Sequence, residues 1–159
     1  MFLDIGIHLP ESVADHMYRM SMLSFMVVDP KVNKDRLMKV CMVHDLAESI
    51  VGDITPHDGV SKEEKRHLEE TALRKIITDI EYPEIVEEIL SLWLEYEEGG
   101  SMEAQLAREF DKFEMILQAL EYEQAQPEKK LDSFFKSTEE SFSYPQVGPA
   151  LYSTEHSVE

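Results

Sequence analysis

Apolar residues in this chain recur at three- and four-residue intervals. No segment sustains the two-residue alternation of β-branched side chains that a half-buried strand needs. That pattern restricts the chain to helices packed on helices, so the expected fold class is an all-α helical bundle. Pro10 and Ser12 open a first helix through Val13, Met17, Met20, Leu23 and Val27, and Asp29-Pro30 closes it. Asn33 caps a second, whose apolar face runs through Leu37, Val40, Cys41, His44, Ala47 and Ile50 or Val51 to a stop at Gly52. Pro56 and Gly59 mark a loop. Ser61-Lys62-Glu63-Glu64 has the form of a capping box and starts a helix through Leu68, Ala72 and Ile76. Pro83 starts another, stopped by Gly99-Gly100. A long helix follows from near Met102 to Glu123, then a shorter one with Leu131, Phe134 and Phe135.

The 159 residues fit one domain. We read it as residues 1–145, followed by a poorly ordered tail over residues 146–159. Cys41 is the sole cysteine, which excludes an intrachain disulfide and a thiolate zinc cluster. That suits the cytoplasm or the nucleus. The first residues lack a basic stretch and a cleavage site of secretory type, and no apolar run approaches the ~20 residues of a membrane span. Asp and Glu total 33 against 15 Lys and Arg, a formal charge of −18. Such a surface repels nucleic-acid phosphates and anionic lipids, so neither a nucleic-acid polymer nor a membrane is an expected partner. A small phosphorylated substrate stays open, because a buried divalent cation dominates its local field.

The strongest local signal is Val43-His44-Asp45-Leu46-Ala47-Glu48, followed by Gly52-Asp53. An ionised Asp on a largely buried helix is costly unless paired or bound to a metal. Imidazole nitrogen and carboxylate oxygen both suit Zn, Mn, Fe or Co. Glu48, four residues after His44, stacks over the same helical face and is placed to orient or activate water. Asp53 offers a second carboxylate at the helix end. His16 lies on the first helix and Asp111 midway along the long one. Taken singly, His16 reads as a core histidine, His44-Asp45 as a salt-bridged pair, Asp111 as a surface residue, and Asp53 as the start of a turn.

Taken together, His16, His44-Asp45 and Asp111 stand in an order that resembles the HD-domain superfamily of metal-dependent phosphohydrolases. The contexts Pro10-Glu11-Ser12-Val13-Ala14-Asp15-His16, Val43-His44-Asp45-Leu46-Ala47-Glu48 through Asp53-Ile54, and Phe110-Asp111-Lys112-Phe113-Glu114 are closer still. They resemble the HD domain-containing protein 2 group, eukaryotic relatives of the bacterial YfbR-type 5′-deoxynucleotidases. The likeness extends over roughly residues 10 to 145.

The resemblance implies an HD-domain bundle that hydrolyses deoxyribonucleoside 5′-monophosphates with a divalent metal cation (Mn, Co, Zn, Fe or Mg). It implies His16, His44, Asp45 and Asp111 as metal ligands and Glu48 with Asp53 as catalytic acidic residues. Alternatively, Glu48, Asp53 and the backbone of Ile54 hold a second ion such as Mg. Arg19, one turn after His16, and Lys112, beside Asp111, are candidates to neutralise phosphate charge. The family is typically homodimeric. Its members carry a longer segment before the first histidine, with an Arg-Gly-Trp-like stretch near the substrate. The fifteen residues before His16 contain neither Arg nor Trp. Two alternative readings therefore stand: another HD-type nucleotide phosphohydrolase, or an N-terminally shortened, metal-binding dimeric protein with little activity. Di-iron relatives use extra histidines between the His-Asp pair and the last Asp, and the candidates here, His57 and His67, sit in solvated settings.

Overall fold

The structure, a computed structural model, describes residues 6–55, 58–128, 130, 131 and 142. Among these residues the chain is helical, with no strand: α1 Val13–Leu23, α2 Lys34–Val43, α3 Glu48–Val51, α4 Lys62–Ile76, α5 Pro83–Glu98 and α6 Met102–Ala125, plus a 3₁₀ turn at Ser24–Met26 after α1. The all-α expectation holds. The expected helix near Phe134, the tail from residue 146 and His57 lie outside the described residues.

Local chemistry sets most of the boundaries. Ser12 and Asp15 form a reciprocal capping box at the start of α1. The Asn33, Ser61 and Ser101 side chains each accept a backbone N–H in the first turn of the helix they precede. Pro83 takes the first turn of α5, and Gly99 ends it in the left-handed conformation, φ 66°. Arg108 holds that end, donating to the carbonyls of Tyr96 and Glu97.

Helix α2 is the hub, packing on α1, α5 and α6. Met20, Leu37, Val40, Cys41, Leu92, Ala107 and Phe110 form the main core. A second cluster, with Ala47, Ala72, Leu73, Ile77 and Trp93, ties the region after α2 to α4 and α5. Ile7, Ala119, Tyr122 and Leu131 form a third against the end of α6.

Two features depart from the sequence expectation. The helix expected to run from Asn33 to Gly52 breaks after Val43 into a turn over residues 44–47 and the short α3. The Cys41 carbonyl, which a continuing α-helix would offer to the Asp45 N–H, accepts instead from His44 Nδ1 at 2.9 Å. The chain then tightens through three-residue bonds, Leu46 N–H to Val43 O and Glu48 N–H to Asp45 O. On α4, Leu68 was expected to face the core but is 39% exposed, while Glu69 is 6% exposed. The helix turns Glu69 inward with Ala72 and Leu73 and leaves Leu68 at the rim.

Candidate metal centre and active site

The fold brings the four expected ligands, distant in sequence, to one place. In α1, the Ser12–Asp15 box uses Asp15 for capping, so His16 turns inward toward α6. His44 sits at the C-cap of α2 and is buried. The tightened turn after it swings Asp45 beside its own ring. Asp111 comes from the middle of α6.

His16 Nε2 lies 3.6 Å from Asp45 Oδ2 and 3.4 Å from Asp111 Oδ1, and His44 Nε2 lies 3.1 Å from Asp45 Oδ2. His16, His44 and Asp111 can each aim a donor atom into one space, the three atoms all within 4.8 Å of one another. Ligands bound at 2.0–2.1 Å around a tetrahedral ion stand about 3.3 Å apart, so these separations have the size of a coordination shell.

Proton placement gives an independent test of fit. The Cys41 carbonyl can only accept, so His44 Nδ1 must carry the hydrogen. In the neutral ring His44 Nε2 is then a lone pair. It is buried without a hydrogen-bond partner, although Asp45 Oδ2 is 3.1 Å away, because that contact lacks hydrogen-bond alignment. Two acceptors facing each other in a buried site call for a cation between them, and this donor set of two imidazoles and two carboxylates suits a divalent metal.

The titration behaviour points the same way. Burial alone would lower the His16 pKa, but hydrogen bonds to Asp111 and Glu114 and the charges of Asp111 and Asp45 raise it to about 11. Burial would lower His44 too, but the charge and hydrogen bond of Asp45 with the charge of Asp111 together raise it. Burial would raise Asp111, yet the His16 hydrogen bond and the charges of both histidines hold it below the usual carboxylate range. The cluster demands positive charge at its centre.

Around the four residues opens a cleft of about 480 Å³, lined by Glu48, Asp53, Lys65, Glu69, Tyr96 and Lys112 among others. The segment Pro10–Val13 walls one side. Burial, then Asp45 and Asp53, raise Glu48 to about 8. Glu11 rises to about 7, through burial first and Glu114 second.

The other expected site residues fall in two groups. Lys112 and Asp53 line the cleft. Arg19 is committed to α6, in an ion pair with Glu114 at 2.8 Å and with Glu121 at 2.9 Å, and donates to Gln118. The Ile54 carbonyl accepts from Lys65 Nζ at 3.0 Å, so a lysine ammonium lies where the sequence suggested a second ion. His67 is exposed on α4.

Sequence reasoning assigned no role to Tyr96, Glu114 or Lys65. The Tyr96 hydroxyl donates to Asp111 Oδ2 at 3.0 Å, and its ring lies tilted against that of His44, the centroids 4.7 Å apart. Glu114 accepts from His16 Nδ1 at 2.6 Å. A signal for Glu114 was present: Ala107, Phe110, Glu114, Gln118 and Tyr122 recur at helical spacing as one buried stripe of α6, with a carboxylate in its middle.

A model of the HD domain matches residues 2–147. The chain is 48% identical over 153 residues to the 5′-deoxynucleotidase HDDC2 of Dictyostelium discoideum, covering 88% of this chain and 80% of that protein. It is 43% identical to the 5′-deoxynucleotidase HDDC2 of Homo sapiens, covering 89% and 70%. Among solved structures, the PH0347 protein of Pyrococcus horikoshii superposes with a TM-score of 0.69 at 33% identity, covering 99% of this chain and 87% of that one. The HD domain-containing protein YGK1 superposes with a TM-score of 0.70 at 29% identity, covering 97% and 81%. With the four-residue cluster in place and these matches across most of its length, the chain belongs to the HD-domain family.

Proposed function

We propose that this chain is a 5′-deoxynucleotidase, hydrolysing deoxyribonucleoside 5′-monophosphates to deoxynucleoside and phosphate with a divalent metal. The observation that carries it is the meeting of His16, His44 and Asp111 donor atoms, with Asp45 beside them, at the base of an open cleft. The deoxynucleotide rests on the named activity of the relatives.

His16, His44, Asp45 and Asp111 would hold the ion. When bound, it supplies Lewis-acid polarisation of phosphate and activation of water. The chain's own groups do the rest. Glu48, in reach of the same cleft, takes in its ionised form the proton of the attacking water and returns it to O5′ as the P–O5′ bond breaks, assisted by Asp53. Lys112 meets the phosphate charge at the rim. Arg19, held on Glu114 and Glu121, would have to leave them to do the same. An ion held by Glu48, Asp53 and the Ile54 carbonyl would have to displace the Lys65 ammonium.

The chain would act as a homodimer. Tyr18, Met22, Phe25 and Met26, at helical spacing on α1 and the turn after it, are all exposed, a stripe suited to a second copy. No helix among the described residues is long and apolar enough to cross a membrane. The single cysteine, Cys41, is what supports a place in the cytoplasm or nucleus. The formal charge of −18 disfavours a nucleic-acid polymer as partner.

The test is phosphate release from paired deoxy- and ribonucleoside 5′-monophosphates, with Co, Mn or Mg added to metal-stripped protein. Metal-dependent turnover favouring the deoxy substrates, lost in Asp45→Ala, is expected. Folded, metal-loaded protein that releases no phosphate from any of them would overturn the assignment.

A further inference from the structure

Glu114 is 1% exposed on α6, an unusual place for a carboxylate. One of its oxygens lies 2.6 Å from His16 Nδ1 and the other 2.8 Å from Arg19 Nε. The second contact is between charges without hydrogen-bond alignment. A carboxylate oxygen accepts, so the neutral His16 ring carries its hydrogen on Nδ1 and turns the Nε2 lone pair toward Asp45 and Asp111.

The two histidines are thus fixed in the same tautomer by different acceptors. His44 leans on a backbone carbonyl, a neutral group, whereas His16 leans on a full negative charge. A charged acceptor makes a stronger hydrogen bond and pushes electron density toward Nε2. Arg19 supplies the opposite charge beside the buried carboxylate.

We propose that Glu114 is a positioning residue: through its buried bond to His16 Nδ1 it fixes that ring's tautomer and sets how tightly His16 Nε2 holds a cation, with Arg19 as its counter-ion. This rests on the metal-centre reading above. Glu114 touches neither substrate nor cation in this role, and Arg19 acts through it.

The test is cobalt binding, followed by visible absorption, in metal-stripped wild type, Glu114→Gln, the double variant Glu114→Gln/Arg19→Met and Asp111→Asn. The double variant removes both charges together, so it leaves none buried and unpaired if the single variant fails to fold. Cobalt dissociation constants about 10–100-fold weaker in both Glu114 variants are expected, with the metal-free melting of the double variant near that of wild type. In the zinc-loaded native protein, proton–nitrogen correlation of the imidazoles should show His16 as the Nδ1–H tautomer with a strongly downfield proton, absent in Glu114→Gln. A folded Glu114 variant that binds cobalt as wild type does, or a native His16 protonated at Nε2, would overturn the proposal. If Asp111→Asn also binds like wild type, or wild type binds no cobalt, the metal centre itself falls and this role falls with it. If Asp111→Asn loses cobalt and only the Glu114 variants are unchanged, the centre stands and the role of Glu114 alone is refuted.

Discussion

His44 Nε2 faces Asp45 Oδ2 across 3.1 Å, and in the neutral ring no hydrogen lies between them, because the ring's hydrogen is held on the other nitrogen by the Cys41 carbonyl. The same side-chain bond that ends α2 therefore also builds half of the site. It frees the residues after His44 from the helix and leaves a lone pair that a metal would complete. Fold and function share one hydrogen bond here.

Tyr96 acts on the far side of the centre. Its hydroxyl holds Asp111 Oδ2, leaving Oδ1 turned toward His16. Tyr96→Phe keeps the ring against His44 and removes only that bond. Manganese affinity, measured by titration calorimetry, should fall about 10–100-fold with little change in melting temperature. Unchanged affinity would show that Asp111 is oriented without it.

Glu48 is assigned to the proton rather than to the ion that His16 and His44 would hold. Glu48→Gln should therefore keep its bound metal, by elemental analysis, while kcat drops about 10²–10⁴-fold. Parallel loss of metal and rate would instead make Glu48 a ligand.

The metal-free protein should lose stability as pH rises. His16 is raised from 6.5 to about 11, Glu48 from 4.5 to about 8, and Glu11 from 4.5 to about 7. Each binds its proton more tightly folded than unfolded. The stability it contributes is full below the unfolded pKa and is lost as pH climbs through the folded one. Between about pH 5 and 8 the two carboxyls act, and His16 continues the trend above 6.5. Melting of chelator-treated protein should fall across that window, and added cobalt should flatten the curve. A metal-free melting temperature that rises from pH 5 to 8 would contradict this charge arrangement.

Gly99 closes α5 with φ 66°, and a Cβ there would run into the Arg108 guanidinium that holds the Tyr96 and Glu97 carbonyls. Gly99→Ala combines a left-handed backbone with that clash. It should cost about 1–2 kcal/mol, a melting shift of several degrees. A shift under one degree would show that Arg108 moves aside freely.

Much of this was legible in the sequence because caps and periodicity are local. Ser12, Asn33, Ser61, Pro83 and Gly99 mark helix ends where the structure has them. Order and context singled out His16, His44, Asp45 and Asp111 as expected ligands, and the fold brings them within reach of one another. The break after Val43 was hidden, because it depends on where one imidazole points rather than on any helix-breaking residue. Lys65 and Arg19 were hidden for a related reason. Lys65 reads as a solvated cation and Arg19 as a candidate for phosphate, and only packing shows that one lies on the Ile54 carbonyl and the other on Glu114. Glu69 looks like an ordinary charge on an acidic helix until the inward face of α4 is known, whereas Glu114 falls at helical spacing among the inward residues of α6.

The most direct measurement is anomalous diffraction at the cobalt edge from crystals of cobalt-loaded protein. The expected result is one strong peak about 2.0–2.2 Å from His16 Nε2, His44 Nε2, Asp45 Oδ2 and Asp111 Oδ1. A cobalt peak elsewhere in the molecule, or none at this cluster in fully loaded protein, would contradict the metal centre on which the proposed hydrolysis depends.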